Sequence, residues 1–334
     1  MKTALALILV ALSATAPSEP TPLAVPDGEG GIGFDDLLFS SRLHQVLVPS
    51  GRTGRLNLVD PKTRALVSIS GFSVSPAKGE GHGAGTTSAD SGGGFIFATD
   101  RNRGVVSVVD PAKKQLVATA KLGGGPDYVR WVEPLGEVWV TEPRRKVIEI
   151  FHLEASNPPK LISTGTIEFP DGPESLVVDA ARGRAYTHSW HDTTFAIELK
   201  SHRVVAHWAN GCEGARGIAL DEKRGFLFVG CDEGKAVALD VVHDGKQLGS
   251  AKTGKGVDIV AYSPSLSHLY VPGGDAATLT ILGVGGQGQM TVLGNVPTAP
   301  DAHCVAADDM GTAYVCDPQH GQLLVFKDSF PATP

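Results

Sequence analysis

Between Gly214 and Gly249 the chain reads GARGIALDEKRGFLFVGCDEGKAVALDVVHDGKQLG, short apolar runs alternating with charged or glycine-bearing turns. Ile218 to Leu220 is apolar and stops at the charged turn Asp221-Glu222-Lys223-Arg224-Gly225. Phe226 to Val229 follows, Asp232-Glu233-Gly234 turns the chain, and Ala236 to Leu239 continues it. A last turn at His243-Asp244-Gly245 leads into Gln247 to Ala251. Runs this short, closed this regularly by turn residues, predict four antiparallel strands in a meander rather than helices.

The unit repeats. Its third strand and the polar residue after it recur as LNLVDP at Asp60-Pro61, VSVVDP at Asp110-Pro111, IEIFH at His152, FAIE at Glu198, AVALD at Asp240, LTILG at Gly283 and LLVFK at Lys327. The interval is about 42 to 50 residues, that of a four-stranded propeller blade. Seven anchors predict an all-β fold, a seven-bladed β-propeller of four-stranded antiparallel blades. The last blade lacks an outer strand, so Pro22 to Pro26 or its neighbours are expected to supply it. An N-terminal strand there closes the ring and removes open sheet edges.

The second strands align alongside as VLVPSG, FIFATD, VWVTEP, AYTHSW, LFVGCD, LYVPGG and AYVCDP. LYVPGG, LFVGCD and VWVTEP, with third strands of the form V-x-V-V-D-P, resemble the YVTN-type (YncE-like) β-propeller repeat, over nearly the whole mature chain. That resemblance implies an architecture and leaves the chemistry open, because such propellers include binding proteins and lactonase-like enzymes. None of Trp131, Trp139, Trp190 and Trp208 is followed by Asp, so the tryptophan-aspartate signature is missing. The chain has no repeated tryptophan-docking motif of the quinoprotein dehydrogenases and no C-x-x-C-H for haem.

Residues 1 to 16 read as a secretory signal: Lys2, the apolar run Ala4 to Leu12, then Ala14-Thr15-Ala16, with Pro17 favouring an earlier cut. Residues 17–33 read as a linker and closing strand, and 34–330 as a single propeller domain. The apolar run is too short to span a bilayer. Periplasmic or secreted is the expected location. Removing Lys2 takes the formal charge from −7 to −8, and a mildly acidic exported chain is not, by bulk charge, a nucleic-acid binder. The 41 glycines and 22 prolines are what a turn-rich all-β chain demands. Between the first two blades, SVSPAKGEGHGAGTT (Ser73 to Thr87) is a longer connection, read as an excursion or as a loop over the channel.

Four cysteines, Cys212, Cys231, Cys304 and Cys316, invite disulfides in an exported chain. The hairpin around Asp308-Asp309-Met310-Gly311 sets Cys304 opposite Cys316, and Cys212 and Cys231 fall at one end of blade five. The alternative, a thiolate metal site, lacks the C-x-x-C spacing of zinc sites.

In a propeller the first strand of each blade lines the channel, and its start shares a face with the loop between strands two and three. Aligning the first strands predicts Asp35, Gly85, Asp127, Glu174, Arg216, Asp258 and His303 at the channel mouth. The loops after the second strands add Asp100, Glu142, His188, His191, Asp232, Asp275, Asp317 and His320. Such carboxylates and imidazoles suit a divalent cation such as Ca²⁺, with Asp127, Glu174, Asp258, His303 and His188 as ligand candidates. They also suit a general acid and base, for which His303, Glu174 and His188 are the candidates. A solvated channel needs neither.

Blades one to three carry Arg52, Arg55, Arg101, Arg103, Arg144, Arg145 and Lys146 in one loop, against Asp232, Glu233, Asp275 and Asp317 in blades five to seven. That asymmetry suits orienting a partner or anionic ligand through Arg101, Arg144, Arg145 and Arg216. Aromatics are not interleaved with these arginines, which disfavours single-stranded nucleic acid. Neither Gly92-Gly93-Gly94 nor Gly123-Gly124-Gly125 opens a helix, so there is no nucleotide-binding loop, and no G-x-S-x-G elbow occurs.

The reading these features support first is a binding module of the cell envelope, engaging an envelope protein or a small anionic ligand through the channel mouth. The second is a metal-dependent lactonase-like hydrolase or lyase, although the asparagine ligands expected of gluconolactonase-type propellers are missing from the aligned positions. The third is a polyanion binder through the arginine sector, its affinity falling steeply with salt. The sequence carries no signal of oligomeric state.

Overall fold

The computed structural model describes residues 19–75 and 84–334, so the expected signal at 1–16 and part of the connection after Ser73 lie outside the described residues. Seven sheets of four antiparallel strands form a ring. Blade five shows the unit, with strands Ala215–Asp221, Phe226–Cys231, Lys235–Asp240 and Lys246–Lys252. Its second and third strands are buried almost throughout, whereas the fourth alternates between half-buried and exposed. Strands covered on both faces read as unbroken apolar runs, which is why those two repeat so clearly in the sequence.

The polar residue after the third strand has a physical role. The Oδ1 atoms of Asp60, Asp110 and Asp240 each accept hydrogen bonds from the main-chain N–H groups two and three residues on, at 2.8–3.2 Å. Each closes the turn into the fourth strand. In blades two to six the pairing of third and fourth strands also shifts register at a β-bulge, between Val108 and Val109 in blade two and Ala238 and Leu239 in blade five. A bulge adds local twist to the strand that carries it.

Thr21–Ala24 pairs antiparallel with Gln322–Lys327, Thr21 opposite Val325, as the outer strand of blade seven. The segment that follows is less of a linker than its composition suggests. Val25, Ile32, Phe34 and Leu37 are 4%, 2%, 0% and 2% exposed and belong to the largest core cluster. At the closure, a Cβ on Gly28 would run into the Gly321 carbonyl, and Gly321 itself sits at φ +59°. Two disulfides, Cys212–Cys231 and Cys304–Cys316, have Cα separations of 5.4 and 5.5 Å.

Candidate functional site

The channel mouth is made from two regions of each blade: the approach to the first strand, or in blade five its second residue, Arg216, and the loop after the second strand. The main-chain N–H groups of Asp127 and Glu174 donate to the carbonyls of Thr141 and His188, 2.9 Å each, at the end of their own blades' second strands. The rigid inner strand pair thus fixes where each side chain begins. Asp35, Asp127, Glu174, Arg216 and Asp258 line one cavity of about 470 Å³, together with Arg101, Tyr128, Pro143, Arg144 and Trp190. Of the mouth positions aligned in the sequence, Gly85 and His303 are not in its lining.

Arg101 organises the charge. Its Nη2 donates to Asp35 Oδ2 at 2.9 Å and also to Asp127 Oδ1, and its Nε donates to the Pro126 carbonyl at 2.9 Å. Burial works against the guanidinium's charge, but Asp35, Asp127 and Asp258 more than offset it and hold the proton more tightly than usual. Glu174 is the opposite case. Burial, then the negative charges of Asp127 and Asp258, push its carboxyl up to about 9, with Arg216 pulling it back only in part. The Trp190 indole N–H donates to Glu174 Oε2. At neutral pH Glu174 is therefore a neutral carboxylic acid among charged neighbours.

This arrangement does not suit the expected divalent cation. A guanidinium already lies between Asp35 and Asp127, where an ion would neutralise them. Among the described residues, two groups of three ligating side chains converge closely enough for a metal: His303 with Cys304 and Cys316, and Glu233 with Cys212 and Cys231. In both, the sulfurs are consumed by a disulfide. Asp127, Glu174 and Asp258 share a cavity without forming such a group.

His188 and His303 are not brought to Glu174's cavity. His188 ends the strand Arg184–His188 and is fully buried, with Nδ1 2.9 Å from Thr194 Oγ1. Burial lowers its pKa to about 3, the Gly217 backbone opposing weakly, so it stays neutral and does not serve as an acid or base near pH 7. His303 faces main-chain carbonyls on both ring nitrogens, Nδ1 2.5 Å from that of Asp301 and Nε2 3.0 Å from that of Phe34. It ties blade seven to the N-terminal segment.

The arginine sector is largely engaged within the protein. Arg52 donates to the Gly31 and Glu29 carbonyls, Arg55 to Asp27, Arg103 to the Gly71 carbonyl, Arg145 to Glu142, and Lys146 to the Pro170 carbonyl. Arg144 is exposed, lines the cavity and makes no ion pair with a described residue. Arg216 donates only to the main-chain carbonyls of Trp190 and Ala215, at 3.5 and 3.4 Å. The opposing acidic loops are similarly occupied: Glu233 accepts from the N–H groups of Glu213 and Gly214, and Asp317 holds His320 and Gln322. Asp100 caps the Ser73 and Arg103 N–H groups. His191 and His320 are exposed beside Asp171 and Asp317, while Asp232 and Asp275 are exposed at the rim.

Sequence reasoning missed Trp190 and Tyr128. Trp190 lies two residues beyond its second strand, as Arg144 does beyond Glu137–Glu142, so searching those loops for aromatics as well as charges finds it. Tyr128 directly follows a mouth residue in sequence, and nothing local signals that it turns to the axis.

No family model matches the chain, and no curated protein matches it. Solved structures do. The chain is 14% identical to one in the mitotic checkpoint complex, with TM-score 0.75 over 98% of this chain and 99% of that one. It is 14% identical to a chain of Kuenenia stuttgartiensis hydrazine synthase, with TM-score 0.72 over 90% and 96% of the two chains. It is 9% identical to the β-propeller domain of Myceliophteria thermophila Cps50 (Swd1), with TM-score 0.72 over 92% and 99%. At these identities the likeness shows the propeller fold; the YVTN-type likeness rests on the repeat residues alone.

Proposed function

We propose that the chain is an exported binding module of the cell envelope that holds a small anionic ligand at its channel mouth. One observation carries this reading: Arg101 bonds Asp35 and Asp127, while Arg144 and Arg216 line the same cavity without a carboxylate of a described residue bonded to either. With Glu174 neutral, three arginines balance three aspartates, Arg144 and Arg216 are the cations left to face a guest, and Trp190 offers an aromatic wall. A preformed cavity of this size with convergent polar groups falls in the range of small-ligand sites. Binding also suits the shape, since one similar chain belongs to the mitotic checkpoint complex. Two disulfides in one domain fit an oxidising compartment.

The test is a thermal-shift and calorimetric screen of small carboxylates, phosphates and sulfates against neutral isosteres of the same size. An anion that raises the melting temperature should lose at least about tenfold in affinity in the Arg144→Glu, Arg216→Glu double variant. If no anion binds, or if the double variant binds equally well, the reading fails.

A second reading has its own observation. A carboxyl group kept protonated at neutral pH inside a cavity is placed as a general acid. A lactonase-like hydrolase would then open lactones with a rate lost in Glu174→Gln; absence of turnover in the wild type leaves binding as the function.

A further inference from the structure

A second cavity of about 300 Å³ lies at the other end of the axis. Its walls come from the first strands and the residues just past their ends, among them Leu38, Val177, Leu220, Ala261 and Ala307. Both volumes fall in the range of small-molecule sites, yet the chemistry of the two is different. Here the charged groups are already satisfied. Arg130 meets Asp36 through both terminal nitrogens, at 2.6 and 2.9 Å, and Ser88 Oγ donates to Asp36 at 2.5 Å. Asp308 accepts from the N–H groups of Met310 and Thr312 and from the Tyr314 hydroxyl. Asp309, the remaining charged lining residue, is exposed to solvent 3.5 Å from His44, so an ion among the buried groups would lose its hydration without compensation.

Tyr128 is the exception among the polar groups. Four of the five tyrosines donate to an aspartate: Tyr186 to Asp179, Tyr262 to Asp221, Tyr270 to Asp328 and Tyr314 to Asp308. Tyr128, 3% exposed overall, has no such aspartate, and its hydroxyl is not among the sealed-off polar atoms that lack a partner. It lines both cavities and so stands between them, its ring under the Arg130 guanidinium at 5.1 Å. A phenol hydroxyl that meets cavity space in place of an aspartate leaves one hydrogen bond open to whatever fills that space.

We propose that the second cavity binds a neutral, largely apolar small molecule carrying one hydrogen-bonding group for Tyr128. The volume suits on the order of ten to fifteen non-hydrogen atoms. This site shares Tyr128 with the anion site and otherwise differs from it in lining, chemistry and position.

The experiment titrates the full chain with 2-naphthol and follows naphthol fluorescence and the heat of binding. Saturable one-to-one binding is expected. Ala261→Leu and Ala307→Leu, both at half-buried wall positions, should each weaken it by about tenfold while the melting temperature stays within a few degrees. Tyr128→Phe should weaken it by roughly fivefold, the loss of one hydrogen bond. The Arg144→Glu, Arg216→Glu variant should bind 2-naphthol as the wild type does. The proposal is overturned by the absence of saturable binding, by binding that survives both leucine substitutions or Tyr128→Phe unchanged, or by binding lost only in the mouth variant. Should either leucine variant fail to fold, Leu38→Arg supplies the same block from another wall.

Discussion

The two ends of the axis handle charge in opposite ways. At the mouth, Arg101 keeps 21% of its side chain exposed and answers several aspartates at once. At the far end, Arg130 is 11% exposed and bound to one carboxylate through both terminal nitrogens. Residues before the first strands carry no ladder obligation, so polar types are tolerated there and come together around the axis. Deeper along the strands apolar residues cover the axis, and the Arg130 charge there is closed against Asp36. Similar volumes thus become a charged receptor at one end and an apolar one at the other.

The coarsest way to break this comparison is to open the ring. Deleting Thr21–Ala24 strips Gln322–Lys327 of its partner and uncovers the edge of blade seven; scanning calorimetry should show a drop in melting temperature of more than about 10 °C, and both ligand sites should weaken together. A small drop would mean that blade seven stands without its outer strand.

Sharper is the pair Arg130→Met and Arg101→Met. Arg130→Met leaves Asp36 buried without a counter-charge, held only by the Ser88 hydroxyl, and chemical denaturation should report a loss of about 3–5 kcal/mol. Arg101→Met should lose less, roughly 1–3 kcal/mol, because Asp127 and Asp258 are only partly buried and the open cavity admits water or a cation. Millimolar Ca²⁺ should recover stability in Arg101→Met and leave both Arg130→Met and the wild type unmoved. Equal losses, or a wild type that responds to Ca²⁺ or EDTA, would contradict Arg101 as the internal counter-ion.

The smallest effect belongs to Glu174. Its folded pKa of about 9 exceeds the unfolded value of 4.5, so between those values the native state holds a proton that the unfolded state has released. The associated stability is fully present below about pH 4.5 and is lost as pH rises toward 9. Glu174→Gln keeps the neutral shape and an acceptor for Trp190. The variant should therefore melt roughly 2–5 °C higher than the wild type at pH 8 and show no such gain at pH 4. An identical pH profile in both proteins would place Glu174 in a better-solvated setting.

Much of this was legible in the sequence. Runs buried on both faces announced the second and third strands, and aspartates such as Asp60 and Asp110 marked the turn after them. Five of the seven aligned mouth positions do line the cavity, because the offset from first strand to mouth is a property of the blade. Which side chain meets which was not legible. Arg101 reads as a surface arginine until Asp35 and Asp127, 66 and 26 residues away, close around it. His188 reads as a loop histidine until strand alternation turns it inward beside Thr194. A repeat specifies each blade's interior; the partners across the axis depend on the ring as a whole.

The disulfides have a consequence for the order in which the molecule becomes whole. They join residues only 19 and 12 positions apart, each bond within a single blade. Either can form as soon as its own hairpin has emerged, long before Thr21–Ala24 reaches Gln322–Lys327. Cys304–Cys316 in particular clips together the first two strands of blade seven while that blade still waits for its outer one. Oxidation therefore ripens two blades without deciding whether the circle closes, and a reductant would loosen those blades without unlatching it. The latch itself is main-chain hydrogen bonding, indifferent to redox and responsive to whatever competes for a strand edge.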